Sequence, residues 1–342
     1  MSIYVDIERK TNGFFLRAKV DTSEKTLALL GMSGSGKSLL MKCIAGLEKP
    51  DRGSIVIDGV TLFDASRGIN LSGNKRRVGI LSQERKLCPI KTVRQNIYGG
   101  TYRGTDKADR IARVTRVMEA LGLSGISGRY PCKLSEGQRQ RVVLAKVLVS
   151  DPKILLLDDV FVSYLSAVRE VLEEQDVTIV IATADPETAY RTAEQIAVLD
   201  NGTVQKVGDR KTLFSNPETK VVARCTGCEN FSDIEILEDG EIWATDWDVV
   251  LKVPVIPEGV SSVGIRAHDF VPEIGENSYR CRVVDVIDDL STYTVALEPF
   301  ESKTGNRVYW KVARKQWDRM AAPEIGVNFA AKSLMLLRDE NK

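Results

Sequence analysis

Gly31-Met32-Ser33-Gly34-Ser35-Gly36-Lys37-Ser38 gathers glycines, a lysine and hydroxyls between the apolar run Thr26 to Leu30 and the apolar stretch Leu39 to Ala45. A strand before and a helix after are the setting in which such a loop grips phosphate. Glycines let the backbone curl so that successive N–H groups converge on phosphate oxygens, and the helix adds the positive end of its dipole. Lys37 then reaches the β- and γ-phosphates, and Ser38 offers an oxygen to a magnesium ion. Gly31 through Leu39 are the candidate contacts to a nucleoside triphosphate, ATP or GTP.

Magnesium held in this way needs a carboxylate at the end of a buried strand. Ile154-Leu155-Leu156-Leu157-Asp158 delivers one acid after four apolar residues, which makes Asp158 the second candidate metal ligand. Upstream, Leu134-Ser135-Glu136-Gly137-Gln138 has the spacing of a capping box, with Ser135 and Gln138 three apart. It predicts a helix N-terminus whose N–H donors face outward.

The elements that must position these groups follow from length and periodicity. At 342 residues the chain exceeds what one growing core supports, so two domains are expected. Short apolar runs alternate with helical patterns over the first two hundred residues or so, the mark of an α/β fold whose largely parallel sheet is covered on both faces. Its strands are predicted at Thr26 to Leu30, Val78 to Leu81, Lys153 to Leu157 and Val177 to Thr183. Between the second and third lies a helical lobe, at about residues 86–150. There Ile111, Val114, Met118 and Leu121 share one helix face, and Gln138 to Val149 forms another helix. Asp200-Asn201-Gly202 predicts a tight hairpin. From Phe231 onward short alternating segments, such as Val249 to Val255, Thr292 to Leu297 and Val308 to Val312, predict a small all-β barrel. The domains are thus 1–225 and 231–342.

Composition removes several functions. Lys plus Arg total 48 against 47 for Asp plus Glu, so no overall field attracts nucleic acid or acidic lipid. The longest apolar runs are too short to cross a bilayer, and no signal pattern precedes them, so a membrane role must come through a partner. Cys225 and Cys228 make a C-x-x-C spacing, read as two ordinary thiols because no second cysteine pair lies nearby and His268 is the only histidine.

The phosphate loop, Asp158 and above all Leu134 to Gln138 resemble the motifs of ATP-binding-cassette transporter subunits, the last being that family's signature. The resemblance implies a P-loop NTPase with a RecA-like sheet and inserted helical lobe. It also implies a head-to-tail sandwich of two ATP-binding subunits, identical or homologous, with MgATP between the phosphate loop of one and the Ser135, Gly137, Gln138 helix end of the other. Gln83, after the Val78 strand, matches the glutamine that reaches the metal or attacking water and senses the membrane partner. Phe14 or Phe15 stands where the family stacks adenine on an aromatic ring. Val263 to Phe270 and Val327 to Leu337 resemble the OB-like, TOBE or MOP-type regulatory segments behind importer ATPases. Implied partners are two transmembrane permease subunits and, indirectly, a solute-binding protein, with the chain peripheral on the cytoplasmic face of the membrane and no role for nucleic acid. Arg67 to Leu71, Lys75 to Gly79 and the compact N-terminus look most like the molybdate or tungstate branch, with sulfate, iron and sugar importers as competitors.

Three departures from the family lie at hydrolysis rather than binding. The catalytic glutamate position holds Asp159, whose carboxylate is drawn back by about 1.5 Å, and a misplacement near 1 Å costs roughly a hundredfold. The switch histidine position after Thr183 holds Ala184, and an aspartate expected near the end of Val162-Ser163-Tyr164-Leu165 is replaced by Leu165. Slow hydrolysis with intact ATP binding is the expectation. A largely non-hydrolysing regulatory subunit is the alternative.

Overall fold

A strand covered on both faces shows no alternation of polarity, and Ile154–Asp158 shows where its side chains go. Ile154 and Leu156 enter one core with Leu40, Met41 and Ile44 of the phosphate-loop helix Lys37–Ala45. Leu155 and Leu157 enter a second core, filled by Val142, Val143 and Leu144 of helix Glu136–Leu148. Thr178–Thr183 divides its side chains the same way, with Val180 and Ala182 to the first and Ile181 to the second. These two helices therefore lie on opposite faces of one sheet.

The computed structural model describes residues 2–81, 87–101, 106–165, 169–174, 176–272, 274–300 and 302–339. They form two units, Met1–Arg210 and Lys211–Lys342. In the first, five neighbouring strands are parallel, in the order Gln195–Asp200, Thr26–Leu30, Thr178–Thr183, Ile154–Asp158, Val78–Leu81. The same sheet continues through Thr203–Asp209, Phe14–Thr22, Ile3–Thr11, Arg52–Ile57, Val60–Asp64 and Ile69–Asn70. Pairing in this half is antiparallel except where Thr203 meets Arg17. The parallel sheet of the sequence reading is thus half of a mixed one. The antiparallel half buries one face only: Ile3, Val5 and Ile7 alternate inward, as do Leu16, Ala18 and Val20.

The helical lobe comprises Val93–Tyr98, Lys107–Ala120 and Glu136–Leu148, on the second core. Val114, Met118 and Leu121 are buried, but Ile111 is 39% exposed and Val117 takes a core place instead. Ile111 lies outside the second core, so the buried stripe of that helix begins at Val114.

The second unit pairs two antiparallel sheets. One has five strands, in the order Val249–Lys252, Glu241–Ala244, Asn230–Ile236, Val260–Ile265, Met335–Arg338. The other has four, in the order Val308–Ala313, Thr292–Pro299, Ser278–Asp288, Glu324–Asn328. Both contribute to one core around Trp247, Trp310 and Phe329. Two buried asparagines link the sheets. Asn230 exchanges hydrogen bonds with the backbone of Tyr309 and donates to Ile265, and Asn277 does the same with Lys252 and Phe329. The helix Lys220–Cys225 belongs to this unit, because Ala223 packs with Cys228, Met335 and Leu337. Burial pushes the Cys228 thiol up to about 12, which keeps it protonated and poorly nucleophilic.

Candidate nucleotide site

Parallel strands all end at the same edge of a sheet, and the register brings the candidate groups to that edge. Leu30 pairs with Thr183, and Ala182 pairs with both Leu29 and Asp158. Asp158 therefore stands level with the start of the phosphate loop, two strands away, roughly 10 Å at the usual strand spacing. Leu81 pairs with Leu157, so Val78–Leu81 points toward the same edge. Gln83, two residues further on, lies outside the described residues.

The loop from Gly31 to Gly36 is fixed almost wholly through its backbone. Gly31 N–H donates to the Thr183 carbonyl at 3.2 Å, and Ser35 N–H donates to Met32 at 3.1 Å. Gly202 N–H, from the expected hairpin, donates to the Ser35 carbonyl at 3.1 Å, so that turn buttresses the loop. Gly31 is required by close approach, since a Cβ there stands 2.1 Å from the Leu199 carbonyl oxygen. Gly34 and Gly36 have φ of 84° and 105°, in the left-handed region that favours glycine. At Gly34 a Cβ meets nothing within 4 Å, so the backbone there borders open space. Gly36 starts the helix Lys37–Ala45 and brings no side chain to cap it.

Lys37 folds back over this loop. Its Nζ donates to the carbonyls of Gly31 at 2.6 Å and Met32 at 2.9 Å, and to Ser35 Oγ at 3.4 Å. Exchanging neutral carbonyls for anionic phosphate oxygens strengthens such bonds. Ser33 and Ser38 are exposed, Met32 is 60% exposed, and Leu39 is half-buried against the first core. Phe14 sits beneath the loop: a Cβ added to Gly36 or Gly202 meets its ring at 3.1 Å. Phe15, on the other face of the same strand, is 47% exposed. The structure therefore gives Phe14 a packing role under the loop and leaves Phe15 as the open ring.

Asp159 begins the 3-10 segment Asp159–Tyr164 directly after the Asp158 strand; its side chain is not among those described. Leu165 packs against the second core. Thr183 is fully buried and Ala184 is exposed beyond it.

Two residues without a sequence signal noted above hold the neighbouring helices, one at this edge and one at the far end of the phosphate-loop helix. Asp185 caps helix Pro186–Thr192, accepting from the N–H groups of Glu187 at 3.2 Å and Thr188 at 2.9 Å. The Thr188 hydroxyl holds its carboxyl below the ordinary value. The Asp-Pro-Glu-Thr order is a readable start signal. Arg76, 4% exposed, caps the far end of the phosphate-loop helix by donating to Cys43 at 2.8 Å and Ile44 at 2.9 Å. It also donates to Leu71 and to Asn70 Oδ1. No local pattern announces that contact.

Ser135 caps helix Glu136–Leu148 with both halves of the box present: Gln138 N–H donates to Ser135 Oγ at 3.3 Å and Ser135 N–H to Gln138 Oε1 at 3.0 Å. Ser135 is exposed; Gly137 and Gln138 are half-buried. This is a second helix N-terminus suited to an anion, on a helix packed across the sheet from Lys37–Ala45.

Residues 19–162 match the family profile of the ABC transporter. The sulfate/thiosulfate import ATP-binding protein CysA of Thermosynechococcus vestitus (strain NIES-2133 / IAM M-273 / BP-1) is 36% identical over 289 residues, covering 79% of this chain and 84% of that protein. The chain belongs to the ABC transporter family, as an ATP-binding subunit of the importer type. CysA of Synechococcus elongatus (strain ATCC 33912 / PCC 7942 / FACHB-805) is 37% identical, over 76% of this chain and 80% of that one. The dimeric bacterial ABC transporter cassette MJ0796 superposes with a TM-score of 0.51 at 26% identity, covering 61% of this chain and 99% of that one. A second structure of that cassette is a post-hydrolysis state bound to ADP and Pi, at 25% identity and the same TM-score of 0.51. The cofactors are ATP and magnesium, as in other ABC cassettes, and the loop N–H groups, Lys37, Ser38 and Asp158 are the groups that this sheet edge brings together.

Proposed function

We propose that this chain drives import of a tetrahedral oxyanion, with sulfate or thiosulfate first and molybdate or tungstate behind them, and that its own hydrolytic step is slow. The observation that carries the ATP-dependent part is the loop itself, with Lys37 held over Gly31 and Met32 and Asp158 at the same sheet edge. The cargo class is supported by the relatives named above, which are sulfate/thiosulfate import subunits.

Two subunits work together in this reading. Lys37–Ala45 and the Ser135 helix pack on opposite faces of one sheet, which supports the Ser135 end being offered to the nucleotide of a second subunit in a two-fold pair. Phosphate binding at the loop recruits Lys37 from its carbonyls, and the partner's helix end closes on the γ-phosphate, excluding water. Magnesium, when bound, neutralises the developing charge on the phosphate oxygens. Closure and reopening then switch two membrane-embedded permease subunits between inward and outward access, with a solute-binding protein supplying cargo from outside. Among the described residues no helix is long and apolar enough to cross a membrane. Placement on the cytoplasmic face through the permease belongs to this proposal.

Slow turnover is supported by Ala184, which puts a methyl where the family has an imidazole, and by the shortened acid at Asp159. A missing donor toward developing charge costs about a hundred- to a thousandfold. Steady-state ATPase assays of the wild type, Ala184→His and Ala184→His with Asp159→Glu test this: at least a tenfold rise in kcat is the expected result. Equal kcat in all three removes the slow-hydrolysis part. For the cargo, proteoliposomes holding the chain with its permease are assayed for ATP-dependent uptake of sulfate, thiosulfate and molybdate. Uptake of none of them overturns the oxyanion reading.

A companion role for the second unit is oxyanion binding. A cavity of about 470 Å³ lies beside Phe231, Trp247, Asn306 and Arg307, with the Asp246 carboxylate on its wall. Equilibrium binding of sulfate and molybdate to the full-length chain, lost in Arg307→Ala, is the supporting result, and no binding in the wild type removes it.

A further inference from the structure

The 3-10 segment after the metal carboxylate ends on a tyrosine that reaches the opposite nucleotide-facing element. Tyr164 Oη donates to Gln140 Oε1 at 3.1 Å, and the same hydroxyl is the nearest atom to a Cβ built on Gly137, at 3.4 Å. Gly137 and Gln140 are three apart on the first turns of the Ser135 helix, hence on one face. The ring is itself seated against the second core, so it is not a free surface side chain. Tyr164 thus bridges two working parts of one subunit. One is the Asp158–Asp159 segment, which serves the subunit's own phosphate loop; the other is the helix end that serves its partner.

We propose that Tyr164 is a positioning residue that couples occupancy of the subunit's own nucleotide site to the placement of the helix end it offers to its partner. The inference rests on the two-subunit reading above and goes beyond it by naming the link. The 3-10 segment Asp159–Tyr164 is six residues long, a short strut of roughly 12 Å at the usual rise. Asp158 would be a ligand of magnesium when it binds, and a shift of Asp158 would pass along this strut to the Tyr164 ring and through its hydroxyl to the helix turn that carries Gly137. Linkage makes the effect reciprocal: engagement of the helix end by the partner's γ-phosphate tightens the metal side of the subunit's own site.

The test uses the full-length chain as Tyr164→Phe, Gln140→Leu and the double variant, with the non-hydrolysable probe Mg-AMP-PNP. Phenylalanine keeps the ring in the core and removes only the hydroxyl. Probe affinity is read by calorimetry at protein concentrations where the chain is monomeric, and probe-dependent dimerisation by sedimentation. One hydrogen bond contributes about fivefold, and a two-fold dimer contains two copies. Tyr164→Phe is therefore expected to lower the dimerisation constant about twenty-fivefold while monomer affinity stays within twofold. Gln140→Leu should match it, and the double variant should be no worse than either single one, since both remove the same bond. A merely structural role shifts the unfolding temperature without this non-additivity. Dimerisation of Tyr164→Phe within twofold of wild type, or additive losses in the double variant, overturns the proposal. A wild type that stays monomeric with saturating probe overturns the two-subunit reading itself, and the link with it.

Discussion

Replacing Arg76 by methionine should loosen the phosphate-loop helix from its far end, and the size of the effect can be worked from its contacts. The last carbonyls of any helix lack partners within it. In Lys37–Ala45, Gly46 N–H satisfies Cys43 and Leu47 N–H satisfies Lys42, whereas Ile44 relies on the Arg76 guanidinium. Leu71, in the loop that covers this helix end, relies on Arg76 Nε in the same way. Methionine fills the space but donates nothing, so two carbonyls lose their donor, at about 1–3 kcal/mol each. Part of this is returned, because burial works against the arginine charge and holds its pKa below the ordinary value. A net loss of about 2–3 kcal/mol is expected, or roughly 4–12 °C in the midpoint of a unit this size. Scanning calorimetry of the full chain reads it, and the first unit's transition is recognised because MgATP raises it. MgATP affinity well below the midpoint should fall less than threefold, since the helix N-terminus and Lys37 are untouched. Arg76→Lys, which keeps a charge but not the fork, should be intermediate. An Arg76→Met transition at or above the wild-type temperature refutes the reasoning, and means that packing there outweighs the lost donors.

Gly36→Ala should weaken MgATP binding by at least tenfold in calorimetry: its φ of 105° costs an L-residue roughly 1–2 kcal/mol, and the new methyl presses on Phe14 at 3.1 Å. Asp185→Ala should cost about 1 kcal/mol at neutral pH through loss of the helix cap, read by denaturant unfolding. Because the folded Asp185 carboxyl is held below its ordinary value by the Thr188 hydroxyl, its contribution is complete above the ordinary carboxylate range. It is lost as pH falls through the depressed value, so the variant and wild type should converge in acid.

Much of the binding edge was legible because its signals are local. Gly31 to Ser38 carries its own turn chemistry, Asp158 follows an apolar strand directly, and the Ser135 box needs only a three-residue spacing. The antiparallel half of the sheet is also written locally: Ile3, Val5, Ile7 and Leu16, Ala18, Val20 alternate with polar residues. That alternation is a weaker signal than the continuous apolar runs of the parallel strands, which are buried on both faces. Arg76 and the asparagines Asn230 and Asn277 were illegible for a different reason. Their partners lie 33, 79 and 52 positions away, respectively, and no spacing rule reaches that far. Phe14 and Phe15 are adjacent and chemically equal, so only the strand's facing separates a ring under the loop from one in solvent.

The division of labour between backbone and side chains explains how this edge can keep a phosphate cradle while departing from its family elsewhere. In the proposed site the phosphate grip rests on Gly31, held by close approach, and on Gly34 and Gly36, held by positive φ, so changing any of them disturbs the loop's conformation as well as binding. The departures fall one residue past the buried strand ends: Asp159 follows Asp158, and Ala184 follows the fully buried Thr183. At Ala184 the side chain is exposed, and the next residue, Asp185, supplies the helix cap. Thr183 and Asp185 are tied into the fold on either side, and the exposed Ala184 side chain leaves room for a larger one. Leu165 goes further, because its side chain packs against the second core, where a carboxylate would be costly. Restoring Ala184→His should for that reason leave the unfolding temperature unchanged, whereas Leu165→Asp should lower it.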